Sequence, residues 1–197
     1  MPTRKLLLYG GIIAGSILIL FGIGAIVLSI QGKNTVTDSL KAEKIVGSPD
    51  MTPEEIQKEA TAAGLENVDV PSCDVAGETI DTGSEAKCFA SYMRIHALEA
   101  SGGLTYAEMP RYATDDGKGT NDPAQATKSA NGQPVSNAKR DLWVTETALA
   151  TALNVSYMAD QLGNFGLVVG IALLLAGIGF IVLAVAGPLT ERRSAAV

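Results

Sequence analysis

LLLYGGIIAGSILILFGIGAIVLSI, Leu6 to Ile30, runs 25 residues without a charged side chain. At ~1.5 Å of rise per residue, such a run exceeds the ~20 residues that cross the hydrocarbon core of a bilayer. A second run of 25 uncharged residues, LGNFGLVVGIALLLAGIGFIVLAVA, covers Leu162 to Ala186. As core helices of a soluble protein, both would need wrapping on all sides, and a 197-residue chain leaves too little globular sequence for that. A cleaved leader fits the first run poorly. Arg4 and Lys5 supply a basic start, but the apolar stretch outlasts the ~7–15 residues of a signal peptide, and no A-x-A site ends it. The sequence therefore predicts two membrane-spanning helices, 6–30 and 162–186.

Charge sets the expected orientation. The tail at 1–5 carries Arg4 and Lys5, and the tail at 187–197 carries Arg192 and Arg193 against Glu191. The stretch between the spans, 31–161, has 11 Lys/Arg and 20 Asp/Glu, a net charge of −9. Basic short tails stay in the cytoplasm under the positive-inside rule, so both termini are expected there and 31–161 outside the cell membrane. Cys73 and Cys88 both fall in this outer region. They form no C-x-x-C pair, and two thiols with one histidine are too few for a structural zinc site. In an oxidising compartment a disulfide is expected, closing a 14-residue loop and worth ~3 kcal/mol in the chain-entropy account.

Local signals in the outer region are helical. Thr52 caps, Pro53 takes the first helical position, Glu55 completes a T-x-x-E box and Gly64 stops the helix. Residues 66–83 are extended and turn-rich, with weak alternation for two short strands. Residues 85–101 carry Ala86, Phe89, Ala90, Met93, Ala97 and Ala100 at helical spacing and end at Gly102-Gly103. Thr105 and Glu108 resemble another cap, but Pro110 limits any helix begun there to about a turn. Residues 113–135 read as a long exposed loop, and from Asn137 a helical pattern leads into the second span, with a bend expected at Gly163-Asn164. The predicted fold class is mainly α: two transmembrane helices flank a small, disulfide-clipped extracytoplasmic helical domain with long loops.

Candidate chemistry is sparse. His96 is the single histidine, with Tyr92 and Glu99 one helical turn away as hydrogen-bond partners. A metal centre takes three or four ligands, and no G-x-S-x-G elbow or Walker spacing is present. No catalytic, cofactor-binding or metal residue is expected, and no cofactor. An outer region at −9 would repel a phosphate backbone, which excludes a nucleic-acid partner. Within the spans, Gly11-xxx-Gly15, Gly166-xxx-Gly170 and Ala172-xxx-Ala176 are small-xxx-small patterns. They favour the spans packing on each other or on a neighbour. Neither span carries a charge, which argues against an ion pathway, and Asn164 is expected to cap near the membrane surface.

The segment HALEASGGLTYAE, His96 to Glu108, resembles a family of actinobacterial two-span membrane proteins with the signature H-x-L-x-x-(T/S)-x-G-x-T-Y-A-E. Arg140 to Phe180, with Thr147-Ala148-Leu149 and Ala152-Leu153-Asn154, is similar to that family's second half. The resemblance covers 86–110 and 138–183, plus the first span in kind. The loop at 113–135 and the capped helix at 52–64 depart from the family's short form. Members carry the label aromatic ring-opening dioxygenase, whose iron site this chain is not expected to build. The resemblance also implies an accessory subunit of the actinobacterial respiratory supercomplex, the cytochrome bc1–aa3 assembly. No C-x-x-C-H is present, so covalently attached haem is not implied. The expected function is thus a non-enzymatic accessory, assembly or stabilising subunit whose partners are the lipid bilayer and a larger integral membrane complex of oxidase and bc1 subunits. The alternative is a free-standing extracytoplasmic sensor or ligand-binding membrane protein.

Overall fold

A peptide group in hydrocarbon has no water to bond, so an apolar run of this length must satisfy its amides internally as helix. Both runs do so in the computed structural model, which describes residues 2–65 and 68–194, with side chains over 5–65 and 68–186. The described helices are α1 (Pro2–Glu43), α2 (Pro53–Ala62), α3 (Gly83–Ser101) and α4 (Ala138–Ser194). Two segments, Lys5–Glu43 and Ala138–Ala186, are long and apolar enough to cross a membrane, with mean hydropathies of 2.6 and 2.9. Only 11% of each apolar window is buried, whereas the core helix of a soluble protein would be mostly covered. The side chains of Arg4, Arg192 and Arg193, on which the expected orientation rests, lie outside the described residues.

The chain divides into two compact units, one formed by the segments before Val36 and after Met158, the other by Val36–Met158. In the first, α1 and α4 pack antiparallel through glycine. A Cβ added at Gly15 would lie 2.6 Å from the Gly177 carbonyl oxygen, one at Gly22 2.7 Å from that of Gly170, and one at Gly11 2.6 Å from the Ala184 Cβ. At Gly15 and Gly22 the backbones thus touch with no side chain between them, and at Gly11 only the Ala184 methyl intervenes. Gly166 opposes Ser29, whose hydroxyl donates back to the Ala25 carbonyl at 2.7 Å. Where the apolar runs end, Lys33 Nζ donates to Asn164 Oδ1 at 2.6 Å and lies 3.1 Å from Asp160 Oδ1.

Gly11, Gly15, Gly166 and Gly170 therefore lie on the face between the helices, together with Gly22, Gly163 and Gly177, which the sequence patterns did not single out. Ala172 and Ala176 are exposed. At ~100° of turn per residue Ala172 sits ~200° round the helix from Gly170, so both cannot face α1. One further expectation is corrected. α4 is continuous through Gly163-Asn164, where Gly163 lets Lys33 and Ser29 approach. Asn164 accordingly lies within α4, bound to Lys33, and is not a cap.

In the second unit, α2 starts as read, with Thr52 accepting from the Glu55 amide at 3.3 Å and Pro53 first in the helix. The Glu55 carboxylate pairs with Lys58 at 2.5 Å, so half of the predicted box forms. α3 begins two residues earlier than predicted because Thr82 and Glu85 make a full reciprocal box, and it ends at Gly102 with φ 75°. Leu40 of α1, Ile56 and Ala60 of α2, Tyr92 and Ile95 of α3 and Leu153 of α4 share one core. The weakly alternating stretch before α3 forms no strand among the described residues, only isolated bridges, Val46 to Thr79 and Gly47 to Ala76. Cys73 and Cys88 form a disulfide with Cα atoms 6.2 Å apart. One turn along α3, the fully buried Tyr92 donates its hydroxyl to the Cys73 carbonyl at 2.5 Å, a second tie on the same segment. The loop at 113–135 is laced by its own backbone, with Ala113 donating to Val135, Thr127 to Ala113 and Val135 to Thr127.

Gly22→Ala should destabilise the hairpin by ~1–3 kcal/mol, since its Cβ meets backbone atoms that cannot move aside, whereas Gly24→Ala, with nothing within 4 Å, should be neutral or slightly stabilising. Thermal unfolding in detergent micelles compares the two. Replacing both Cys73 and Cys88 by serine should cost ~3 kcal/mol, read as a lower urea midpoint of Trp143 fluorescence.

Candidate functional site

Buried neighbours on either side fix the rotation of α3 about its axis. Ile95 and Ala97 are both buried, which leaves the imidazole of His96 between them partly covered, with 30% of its side chain exposed. Glu59 reaches the same place from α2. Its neighbours on that helix face, Ile56 and Ala60, are buried, so the carboxylate sits on an otherwise apolar stripe and is itself only 18% exposed. Asp50 comes from the turn before α2, where the Met51 amide donates to the Ser48 carbonyl at 3.0 Å and buried Met51 anchors the chain.

His96 Nε2 lies 3.4 Å from Glu59 Oε2 and 3.7 Å from Asp50 Oδ2. One potential ligand atom from each of the three residues lies within 4.8 Å of the others. None of these approaches is a hydrogen bond. His96 Nε2 and Glu59 Oε1 are both shielded from solvent and have no hydrogen-bond partner. Burial, then the neighbouring carboxylates of Glu99 and Asp50, push the Glu59 carboxyl up to about 7. The Ser48 hydroxyl bonds Asp50 and holds its carboxyl below the ordinary range.

The predicted partners of His96 differ from those observed. Tyr92 turns to Cys73 and Glu99 faces Glu59, while Asp50 and Glu59 take the places nearest the imidazole. Sequence reasoning missed this grouping because it joins three separate segments. One signal was readable: Glu59 is a charge on the apolar stripe Ile56–Ala60–Ala63 of a short helix.

A second polar grouping lies elsewhere on α3. Arg94 pairs with Glu146 of α4 at 3.2 Å and lies over the Trp143 ring, 4.7 Å from its centroid. Glu146 is 4% exposed, and burial raises its carboxyl pKa against the opposing pull of Arg94. Desolvating such a pair offsets much of its Coulomb attraction, so this contact fixes the register of α3 on α4 more than it adds stability.

Comparison with protein-family models, with curated proteins and with solved structures gives no match for this chain. The site is therefore read from its geometry alone.

The Glu59 carboxyl makes stability depend on pH in a definite direction. Its folded pKa of about 7 exceeds the ordinary 4.5, so the folded state binds the proton more tightly. The stability it contributes is fully present below about 4.5 and is lost as the pH rises through about 7. Asp50 acts in the opposite sense, but only below about 3.8, beneath this window. In the presence of chelator, urea midpoints of Trp143 fluorescence should fall between pH 5 and pH 8. Glu59→Gln should flatten that slope and exceed the wild type at pH 8.

Proposed function

We propose that this chain is a non-catalytic two-span membrane protein that serves as an accessory, assembly or stabilising subunit of a larger membrane complex. The actinobacterial respiratory supercomplex is the assembly its sequence resemblance implies. In this reading both termini are cytoplasmic, and the acidic, disulfide-clipped helical unit lies on the extracytoplasmic face. The basic residues of the two tails, the antiparallel course of the spans and the Cys73–Cys88 bond support that placement.

The observation that carries the docking role is a second set of small residues that the hairpin does not use. Ala172, Ala176 and Gly179 fall within ~60° of one another on α4, and a Cβ at Gly179 would meet nothing within 4 Å. Exposed Phe165, Val168 and Leu183 bound this notch along the same face. Lipid tails gain little from such a notch, whereas a neighbouring helix can bring its backbone close there.

The alternative, a free-standing ligand-binding module, is favoured by the convergence of Asp50, Glu59 and His96. The two separate by experiment. Affinity isolation at native expression level in mild detergent should recover large integral membrane subunits in fixed stoichiometry. Ala172→Leu with Ala176→Leu should release them while leaving the hairpin folded. A protein that runs as a lone monomer removes the subunit role.

A further inference from the structure

We propose that Asp50, Glu59 and His96 form a binding site for a divalent first-row transition cation, with zinc the best match to the ligand set. The inference is independent of the docking role, since it concerns only the Val36–Met158 unit.

Three observations carry it. The first is distance. Ligands held ~2.0–2.2 Å from a tetrahedral zinc lie ~3.3–3.6 Å from each other, at or past the long end of the hydrogen-bond range. The His96 Nε2 separations of 3.4 Å from Glu59 and 3.7 Å from Asp50 are close to that edge length. The second is the state of the donor atoms. His96 Nε2 is shielded from solvent and bonded to nothing, although two carboxylates lie close by. A buried polar atom left without a partner costs ~1–3 kcal/mol, and a shared cation removes that cost at Nε2. The third is charge. Asp50 and Glu59 lie beside one imidazole, with Glu99 next to Glu59. No lysine or arginine is paired with Asp50 or Glu59 among the described residues, so a divalent ion would supply the missing positive charge.

The chemistry of the set selects the ion. An imidazole nitrogen favours zinc and its neighbours over calcium or magnesium, which prefer oxygen throughout. The thiols take no part, being joined to each other. Asp50 is about half exposed, so the cation enters from that side, and the fourth position opens toward solvent. Three protein ligands with one open position is the arrangement of an exchangeable site, in contrast to closed four-ligand structural zinc.

The test uses the full-length chain in detergent micelles, with any purification tag removed and bound metal stripped by chelator. Zinc chloride is titrated calorimetrically at about pH 7.5, and thermal unfolding is followed with and without the ion. One equivalent should bind saturably and raise the midpoint. His96→Ala and Glu59→Gln should each weaken binding by more than the ~10–100-fold that loss of an outer hydrogen-bond partner of a ligand costs. Glu59→Gln also separates a ligand from a structural residue. It should raise the unfolding midpoint in chelator, by removing a crowded carboxylate, yet abolish the further rise on adding zinc. Asp50→Ala, at an exposed turn, gives an independent variant if His96→Ala does not fold. Absence of saturable binding overturns the proposal, as does zinc affinity unchanged in Glu59→Gln and Asp50→Ala. Calcium binding as tightly as zinc overturns the transition-metal assignment.

Discussion

Where Gly15 meets Gly177 and Gly22 meets Gly170, two helix backbones touch with no side chain between them, and the arrangement of the hairpin depends on that contact. In hydrocarbon no hydrophobic force pulls apolar helices together, so close van der Waals packing has to hold the pair. Glycine supplies the approach, and in a bilayer its poor helix propensity matters less because the backbone has no alternative to helix. The same contact sets the register, bringing Ser29 to Gly166 and Lys33 to Asp160 and Asn164.

The Val36–Met158 unit is held by a different set of forces. Its core is small, and a short core leaves the segment before α3 little apolar area with which to hold itself down. The disulfide at Cys88 and the Tyr92 hydroxyl both fasten that segment to α3, one turn apart. The cap at Thr52, the capping box at Thr82 and the left-handed Gly102 define where helices start and stop. These devices are local, and each adds order-of-1-kcal/mol amounts that a marginal unit depends on.

That division explains what the sequence made legible. Caps, stops, apolar runs and the cysteine pair are encoded within a few residues, so α2, the end of α3 and both long helices were readable from the chain. The face a small residue presents depends on where its partner helix lies. Gly11 and Gly170 therefore looked no different from Ala172 and Ala176, although only the glycines meet the other helix. Asn164 was misread for the same reason, since its partner Lys33 is 131 residues away. The gathering of Asp50 and Glu59 at His96 is likewise a product of α2 packing on α3, and an i, i+3 or i, i+4 rule applied within α3 could point only to Tyr92 and Glu99.

The Lys33 contacts have a consequence for how the hairpin would ride in a bilayer. A lysine just past an apolar run ordinarily stretches its stem toward the phosphate layer and fixes the depth of its helix there. Here the ammonium is taken up by Asp160 and Asn164 of the other helix. With its charge met inside the protein, that end of the hairpin gains little from lipid headgroups. Its depth can then follow a thicker or thinner bilayer, or the surface of a neighbouring subunit, without giving up an ionic anchor.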